Sequence, residues 1–208
     1  MGTQVPKVYY INLAHRVDRR AQIDAELVRL GWTDVTRIDA VHVPERGALG
    51  CAQSHVLALK AFLATATATT TDYCIIAEDD VAFVRDPRPD LERFFADFTP
   101  LSWDVCMLAS NTVVELPVQD HPYVTRVINA QTTSCYAVNR AFAPTLLAAF
   151  EESATRLRLT EAWTAAACMD ILWKRLQPVS RWYCLNPRAA IQRPSYSDIE
   201  KRVTNYGV

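Results

Sequence analysis

Tyr73-Cys74-Ile75-Ile76-Ala77-Glu78-Asp79-Asp80-Val81 is an uncharged, mostly apolar run that stops abruptly in three consecutive carboxylates. The short apolar run reads as a buried strand, and a strand that ends this way asks for a cation. Side chains alternate faces along an extended chain, so Glu78 and Asp80 are predicted to project together while Asp79 points away. Two carboxylates converging at one edge repel, which raises their pKa unless a metal or a basic group compensates. Hard divalent ions with oxygen ligands, Mn²⁺ or Mg²⁺, meet that need. A solvated acidic turn capping the next segment would look the same in these three residues, so the flanking sequence has to decide.

Outward from this strand, short apolar runs alternate with stretches of helical period, the pattern of an α/β fold: a mostly parallel central sheet covered by helices on both faces. Val8 to Leu13 reads as the first strand. A helix follows over Asp18 to Leu30, where Ile23, Leu27 and Leu30 recur at helical spacing and Gly31 ends the run. Val35 to Val41 reads as a second strand and Leu49 to Leu63 as a helix, with a Thr/Ala connector from Thr65 to Asp72. Beyond the acidic strand end the pattern predicts a helix over Asp90 to Phe98 and strands at Asp104 to Ala109, Thr125 to Ile128 and Ser134 to Val138. It also predicts helices over Phe142 to Phe150 and Glu161 to Leu176, then a polar, irregular tail from Pro187.

Half of the 208 residues are apolar, which suits one sizeable core in one domain. A net charge of -1 gives no general field for a polyanion, so nucleic acid is not an expected partner. No apolar run approaches the roughly 20 residues that cross a bilayer, and no secretory leader is evident, so a cytoplasmic chain is expected. The six cysteines lie far apart and mostly in apolar segments, and they read as reduced and buried. Cys51 and His55, four apart on one helix face, offer a nucleophile–base or metal pair, but nothing nearby in the sequence completes a triad or a zinc set. Neither a P-loop nor a dinucleotide fingerprint is present.

Asn12-Leu13-Ala14-His15-Arg16-Val17-Asp18-Arg19-Arg20 packs three arginines into the first strand-to-helix turn. Guanidinium forks at a helix start suit phosphate, although ordinary pairing of Asp18 with its arginine neighbours accounts for the same residues. In open α/β sheets, ligands sit outside the carboxyl ends of the strands, where this turn and the acidic one both fall. A metal-bound diphosphate would satisfy both, which points to a nucleotide-sugar donor.

Several blocks in order then become informative together. They are Tyr10-Ile11-Asn12-Leu13 with Arg16-Val17-Asp18-Arg19-Arg20, Gly50-Cys51-Ala52-Gln53-Ser54-His55, Ile75 to Val81, Thr133-Ser134-Cys135-Tyr136-Ala137-Val138, Met169-Asp170-Ile171-Leu172, Pro187 to Gln192, and Ser197-Asp198-Ile199. Jointly they resemble glycosyltransferase family 25, which contains bacterial lipooligosaccharide galactosyltransferases and the galactosyltransferase domains that modify collagen hydroxylysine. The resemblance spans almost the whole chain. It implies one glycosyltransferase-A type domain over 1–208, its nucleotide-sugar part over about 1–110 and its acceptor and catalytic part over about 111–208. It further implies a UDP-sugar donor, inverting transfer of galactose or glucose to a hydroxyl of a glycan or hydroxylated side chain, and a Mn²⁺ (or Mg²⁺) cofactor.

Carried onto this chain, the resemblance assigns Glu78, Asp80 and Gln192 to the metal, and Asn12, Arg16, Arg19, Ser54, His55 and Asp79 to the donor. It assigns Asp170 to the role of general base. A buried, satisfied core histidine is the competing reading of His55. For Asp170 the competing readings are a helix cap or a pair with Lys174. Trp103, Trp163, Trp173 and Trp182 have faces that stack on sugars, but such spacings more often mark core. Two other functions use a similar acidic strand end: a metal-dependent phosphoesterase or nucleotidyltransferase, and a non-catalytic UDP-sugar- or carbohydrate-binding relative.

Overall fold

The computed structural model describes residues 6–65, 73–98, 102–160, 164–197 and 202–205. Six strands build the central sheet: β1 (Lys7–Asn12), β2 (Val35–Asp39), β3 (Tyr73–Glu78), β5 (Val105–Pro117), β6 (Val124–Asn139) and β7 (Trp182–Leu185). Their order across the sheet is β2-β1-β3-β6-β5-β7. β2, β1 and β3 pair in parallel, β5 and β7 pair in parallel, and β6 runs antiparallel to its neighbours on both sides. Five strands therefore point one way and their carboxyl ends share an edge. Two short pairs lie outside the sheet: β4 (Val81–Phe83) with β8 (Ala190–Gln192), and β9 (Ser195–Ser197) with β10 (Arg202–Thr204).

The strands are apolar on both faces because helices cover both. Val8, Tyr10, Ile75 and Ala77 face α1 (Val17–Arg29) and α3 (Arg88–Asp97) through Ile23, Leu27, Leu91 and Phe94. Their alternating neighbours Tyr9, Ile11, Cys74 and Ile76 face α2 (Gly47–Ala64) and α4 (Ala143–Leu159) through Leu59, Phe62, Leu146 and Phe150. Such two-sided burial is what near-continuous apolar strands signal. α1 ends at Gly31, whose φ of 66° lets its N–H reach the Val28 carbonyl and the Trp32 N–H reach that of Leu27, the double bond of a Schellman stop.

Several expectations are corrected. Thr125 to Ile128 and Ser134 to Val138 belong to one 16-residue strand, interrupted by an irregularity rather than by a turn. In place of a long helix over Glu161 to Leu176 there is a 3₁₀ turn at Ala165–Ala167, the four-residue α5 (Met169–Leu172) and a second 3₁₀ turn at Trp173–Arg175. The apolar residues there pack by burial of Ala167, Met169 and Trp173, which needs no continuous helix. The tail from Pro187 contributes β8, β9 and β10, since its backbone finds partners in distant segments. Most of the Thr/Ala connector, Trp163 and Asp198 lie outside the described residues.

Candidate active site

Glu78 is the last residue of β3, and Asp79 and Asp80 form the turn into β4. Strand alternation therefore stops at Glu78, and the three carboxylates go to three sets of partners. Asp79 accepts from Asn12 Nδ2 at 2.7 Å and from Arg19 Nη1 at 3.0 Å. Asp80 lies 3.2 Å from the same Arg19 Nη1 and accepts from Gln192 Nε2 at 3.1 Å. Glu78 accepts from Thr133 Oγ1 at 2.8 Å and meets His55 Nε2 at 3.3 Å.

The basic turn and the acidic turn thus touch directly. β1 and β3 are adjacent and parallel, so the β1–α1 turn arrives beside the β3–β4 turn. Asn12 ties them together: its Nδ2 also donates to the Arg16 carbonyl at 3.1 Å, and its Oδ1 accepts from Arg37 Nε at 3.0 Å. Arg19 is a cation at the acidic strand end, meeting Asp79 and Asp80 but not Glu78. Its side chain is 12% exposed, so the pair sits where water screens little. Arg16 turns instead to Asp18, through Nε and Nη2 at 3.1 Å each.

A cleft of about 300 Å³ opens beside Glu78, with Asp170, Gln192, Cys51 and the 131–134 segment in its wall and Ala165, Met169 and Ile171 as an apolar rim. The 131–134 segment is an irregularity in β6. Its pairing with β5 jumps from Ala109 opposite Cys135 to Asn111 opposite Gln131, which leaves 132–134 facing a single residue, Ser110. Bulges of this kind re-aim side chains near functional sites. Within it, Thr132 has φ of 76°, a left-handed conformation that a β-branched residue rarely adopts and that costs about 1–3 kcal/mol. That backbone turns the Thr132 N–H to the Asp170 carboxylate, which the Gln131 side chain also reaches. Thr133 sends its hydroxyl to Glu78, and Ser134 stays buried in the wall with its Oγ lacking a partner among the described residues.

Burial sets the electrostatics, and partners then split the carboxylates. Burial pushes Asp80 up, reinforced by the charge of Glu78 and opposed by Arg19, to about 7. Asp170 is raised by burial against the hydrogen bonds from Gln131 and Thr132, and Asp79 is raised by burial against Arg19 and Asn12. Burial also raises Glu78, but the hydrogen bond and charge of His55 and the Thr133 hydroxyl outweigh it, so Glu78 ends lower than usual. The outcome is one carboxylate, Glu78, that gives up its proton more readily beside three that hold theirs more tightly.

Glu78, Asp170 and Gln192 share the cleft wall, and Asp80 joins them through Gln192. Gln192 sits there because it pairs with Val81 across β4 and β8. His55 is fully buried, with Nδ1 3.1 Å from the Tyr136 hydroxyl and Nε2 on Glu78, so it acts on the cleft through Glu78. Ser54 is buried and serves the scaffold: it donates to the Gly50 carbonyl at 2.6 Å and accepts from the Val41 N–H at 2.8 Å. Gly50 itself has no room for a side chain, since a Cβ would meet the Val41 carbonyl at 2.4 Å. The N-cap of α5 is Cys168 rather than Asp170, and Lys174 is only a lesser influence on Asp170. Trp103, Trp173 and Trp182 are core. The residues without a role in the sequence reading are Gln131, Thr132, Thr133, Ser134 and Arg37. Thr133 and Ser134 stood inside a resemblance block, the one signal that could have singled them out.

No protein-family profile and no curated protein matches the sequence. Among solved structures, a glycosyltransferase involved in the glycosylation of the major capsid of PBCV-1 superposes with a TM-score of 0.52 at 10% identity, over 94% of this chain and 98% of that one. UDP-glucose pyrophosphorylase in its apo form gives 0.43 at 7% identity over 86% and 72%. Mannose-1-phosphate geranyltransferase from Thermus thermophilus gives 0.40 at 10% identity over 90% and 74%. The first of these likenesses establishes a glycosyltransferase-A type fold.

Proposed function

We propose that this protein is a nucleotide-sugar-dependent glycosyltransferase of the family 25 type, transferring galactose or glucose from a UDP-sugar to a hydroxyl of a glycan or a hydroxylated side chain with inversion. The observation that carries the reading is that Glu78, Asp170 and Gln192 line one cleft at the carboxyl edge of the sheet, with Asp80 bonded to Gln192 behind them. The fold shared with the PBCV-1 capsid glycosyltransferase supports it.

The residues fit a hard divalent ion. Asp80 Oδ1 is buried without a partner among the described residues, Asp80 and Glu78 repel, and Glu78, Asp80 and Gln192 can each offer an oxygen. Glu78 and Asp80 would hold Mn²⁺ or Mg²⁺, with the Gln192 amide beside them. When bound, the ion would neutralise negative charge on the leaving diphosphate. Transfer breaks the bond from the sugar C1 to the diphosphate oxygen and forms one from C1 to the acceptor oxygen, while the acceptor hydroxyl loses its proton. Asp170 takes that proton in this reading. Its carboxylate is held by Gln131 and the Thr132 N–H, and burial raises its pKa towards the range useful to a base near neutral pH. His55 and Thr133 orient Glu78, and Arg19 fixes Asp79 and Asp80.

The test is a panel of UDP-sugars with Mn²⁺, read by released UDP and by the anomeric configuration of the product. UDP release from one hexose donor, with inversion, is the expected result. Pyrophosphate release, or UDP binding with no turnover on any donor, would replace the reading with a nucleotidyltransferase or a binding protein.

A further inference from the structure

The i, i+4 pair Cys51 and His55 on α2 gains in three dimensions the third ligand that no neighbouring residue in the sequence supplies. The Cys51 Sγ, a ring nitrogen of His55 and a carboxylate oxygen of Glu78 all lie within 4.8 Å of one another. The His55 to Glu78 separation is 3.3 Å, matching the edge of about 3.3 Å between two ligands on a tetrahedral ion with bonds of about 2.0 Å. An outer layer is also in place: the Tyr136 hydroxyl lies 3.1 Å from the second ring nitrogen of His55, and the Thr133 hydroxyl holds Glu78 at 2.8 Å. Ligating histidines and carboxylates are characteristically oriented by such partners. Cys51 and Glu78 line the cleft, so a fourth position would face it, and the buried Ser134 hydroxyl in the same wall has no protein partner among the described residues.

We propose that Cys51, His55 and Glu78 form a Zn²⁺ site with its fourth position open to the cleft. A thiolate and an imidazole select zinc over the hard ions suited to carboxylates alone. Binding replaces the Cys51 S–H bond by a Zn–S bond and releases the proton to solvent. Glu78 belongs to both donor sets, so zinc bound here takes that carboxylate from the hard-ion set. The zinc site itself stands or falls independently of the donor reading, because its test needs neither donor nor turnover.

Metal-stripped protein is titrated with Co²⁺, a spectroscopic stand-in for Zn²⁺. One equivalent is expected to produce a thiolate-to-metal charge-transfer band that one equivalent of Zn²⁺ abolishes. Cys51→Ala should lose the band and weaken Zn²⁺ binding at least tenfold in competition with a chelator. Cys168→Ala, at the other cysteine of the cleft, should keep both. No band in the wild-type protein, or a band that survives Cys51→Ala, overturns the site. If Cys51→Ala fails to fold, a band kept by Cys168→Ala assigns the thiolate to Cys51, and a band lost there overturns the site.

Discussion

The two flanks of the acidic turn are built on opposite plans. On the α1 flank, Asp79 and Asp80 meet Arg19 directly, and Asn12 and Arg37 lock the turn from behind at 2.7–3.1 Å. On the β6 flank, Glu78 and Asp170 face a cleft, with a strained backbone at Thr132 and a buried hydroxyl at Ser134 left for something else. On the first flank the charged groups pair with one another within the protein. The second leaves its groups facing the cleft, where the proposed chemistry would take place. Asp80 stands between them, with one oxygen on Arg19 and Gln192 and the other without a partner among the described residues.

The largest expected effect breaks the α1 flank. Arg19→Met leaves two buried carboxylates without their cation, and removing one partner of a buried pair costs about 3–5 kcal/mol. Denaturant unfolding should show this as a lower midpoint with an unchanged slope, partly recovered by millimolar Mn²⁺. A loss below about 0.5 kcal/mol, the size of a surface pair, would mean that this flank is not closed.

On the cleft flank the damage should appear in rate instead. Asp170→Asn is expected to keep donor and metal affinity while transfer falls about a hundredfold or more, roughly 2.7 kcal/mol of activation free energy. Near-normal turnover by the folded variant would remove Asp170 from the chemistry.

Asp80 sharpens the boundary through pH. With its pKa raised to about 7 when folded, Asp80 holds its proton over a range where the unfolded chain has already lost it. Folding then binds a proton, so the Asp80 contribution makes the apo protein less stable as pH rises from about 4 to about 7. Asp80→Asn should flatten that slope, leave apo stability at neutral pH equal or higher, and abolish Mn²⁺-dependent UDP binding. An identical pH–stability profile in the variant, or unchanged UDP affinity by calorimetry, would contradict this.

The smallest effect expected is that of Thr133→Val, which removes one hydroxyl donor from Glu78 at a cost of about 1–2 kcal/mol. Because that donor favours the ionised form, the Glu78 pKa should rise in the variant, which NMR titration of its side-chain carboxyl carbon can follow. A Glu78 pKa that does not move would mean that His55 and Arg19 keep it low without Thr133.

Much of the frame was legible in the chain, because period-2 and period-3.6 patterns are local. They located β1, β3, α1, α2 and the carboxylates at the end of β3, and parallel pairing followed from the alternation of strands and helices. The run after Glu161 misled for a physical reason: apolar spacing reports burial, and 3₁₀ turns around Trp173 bury the same side chains as a helix would. The need for a cation at Glu78 to Asp80 was a matter of sequence too, since three adjacent charges repel in any fold. Which cation answered was not. Arg19 lies 60 positions from Asp79, and Thr133 lies 55 from Glu78. Gln192 reaches Asp80 only because β8 pairs with β4, and Thr132 reaches Asp170 only because β6 slips against β5. Register between distant strands is set by the packing of the whole sheet, so the carboxylates were written in the chain while their partners, and with them the division into two flanks, came from the tertiary structure alone.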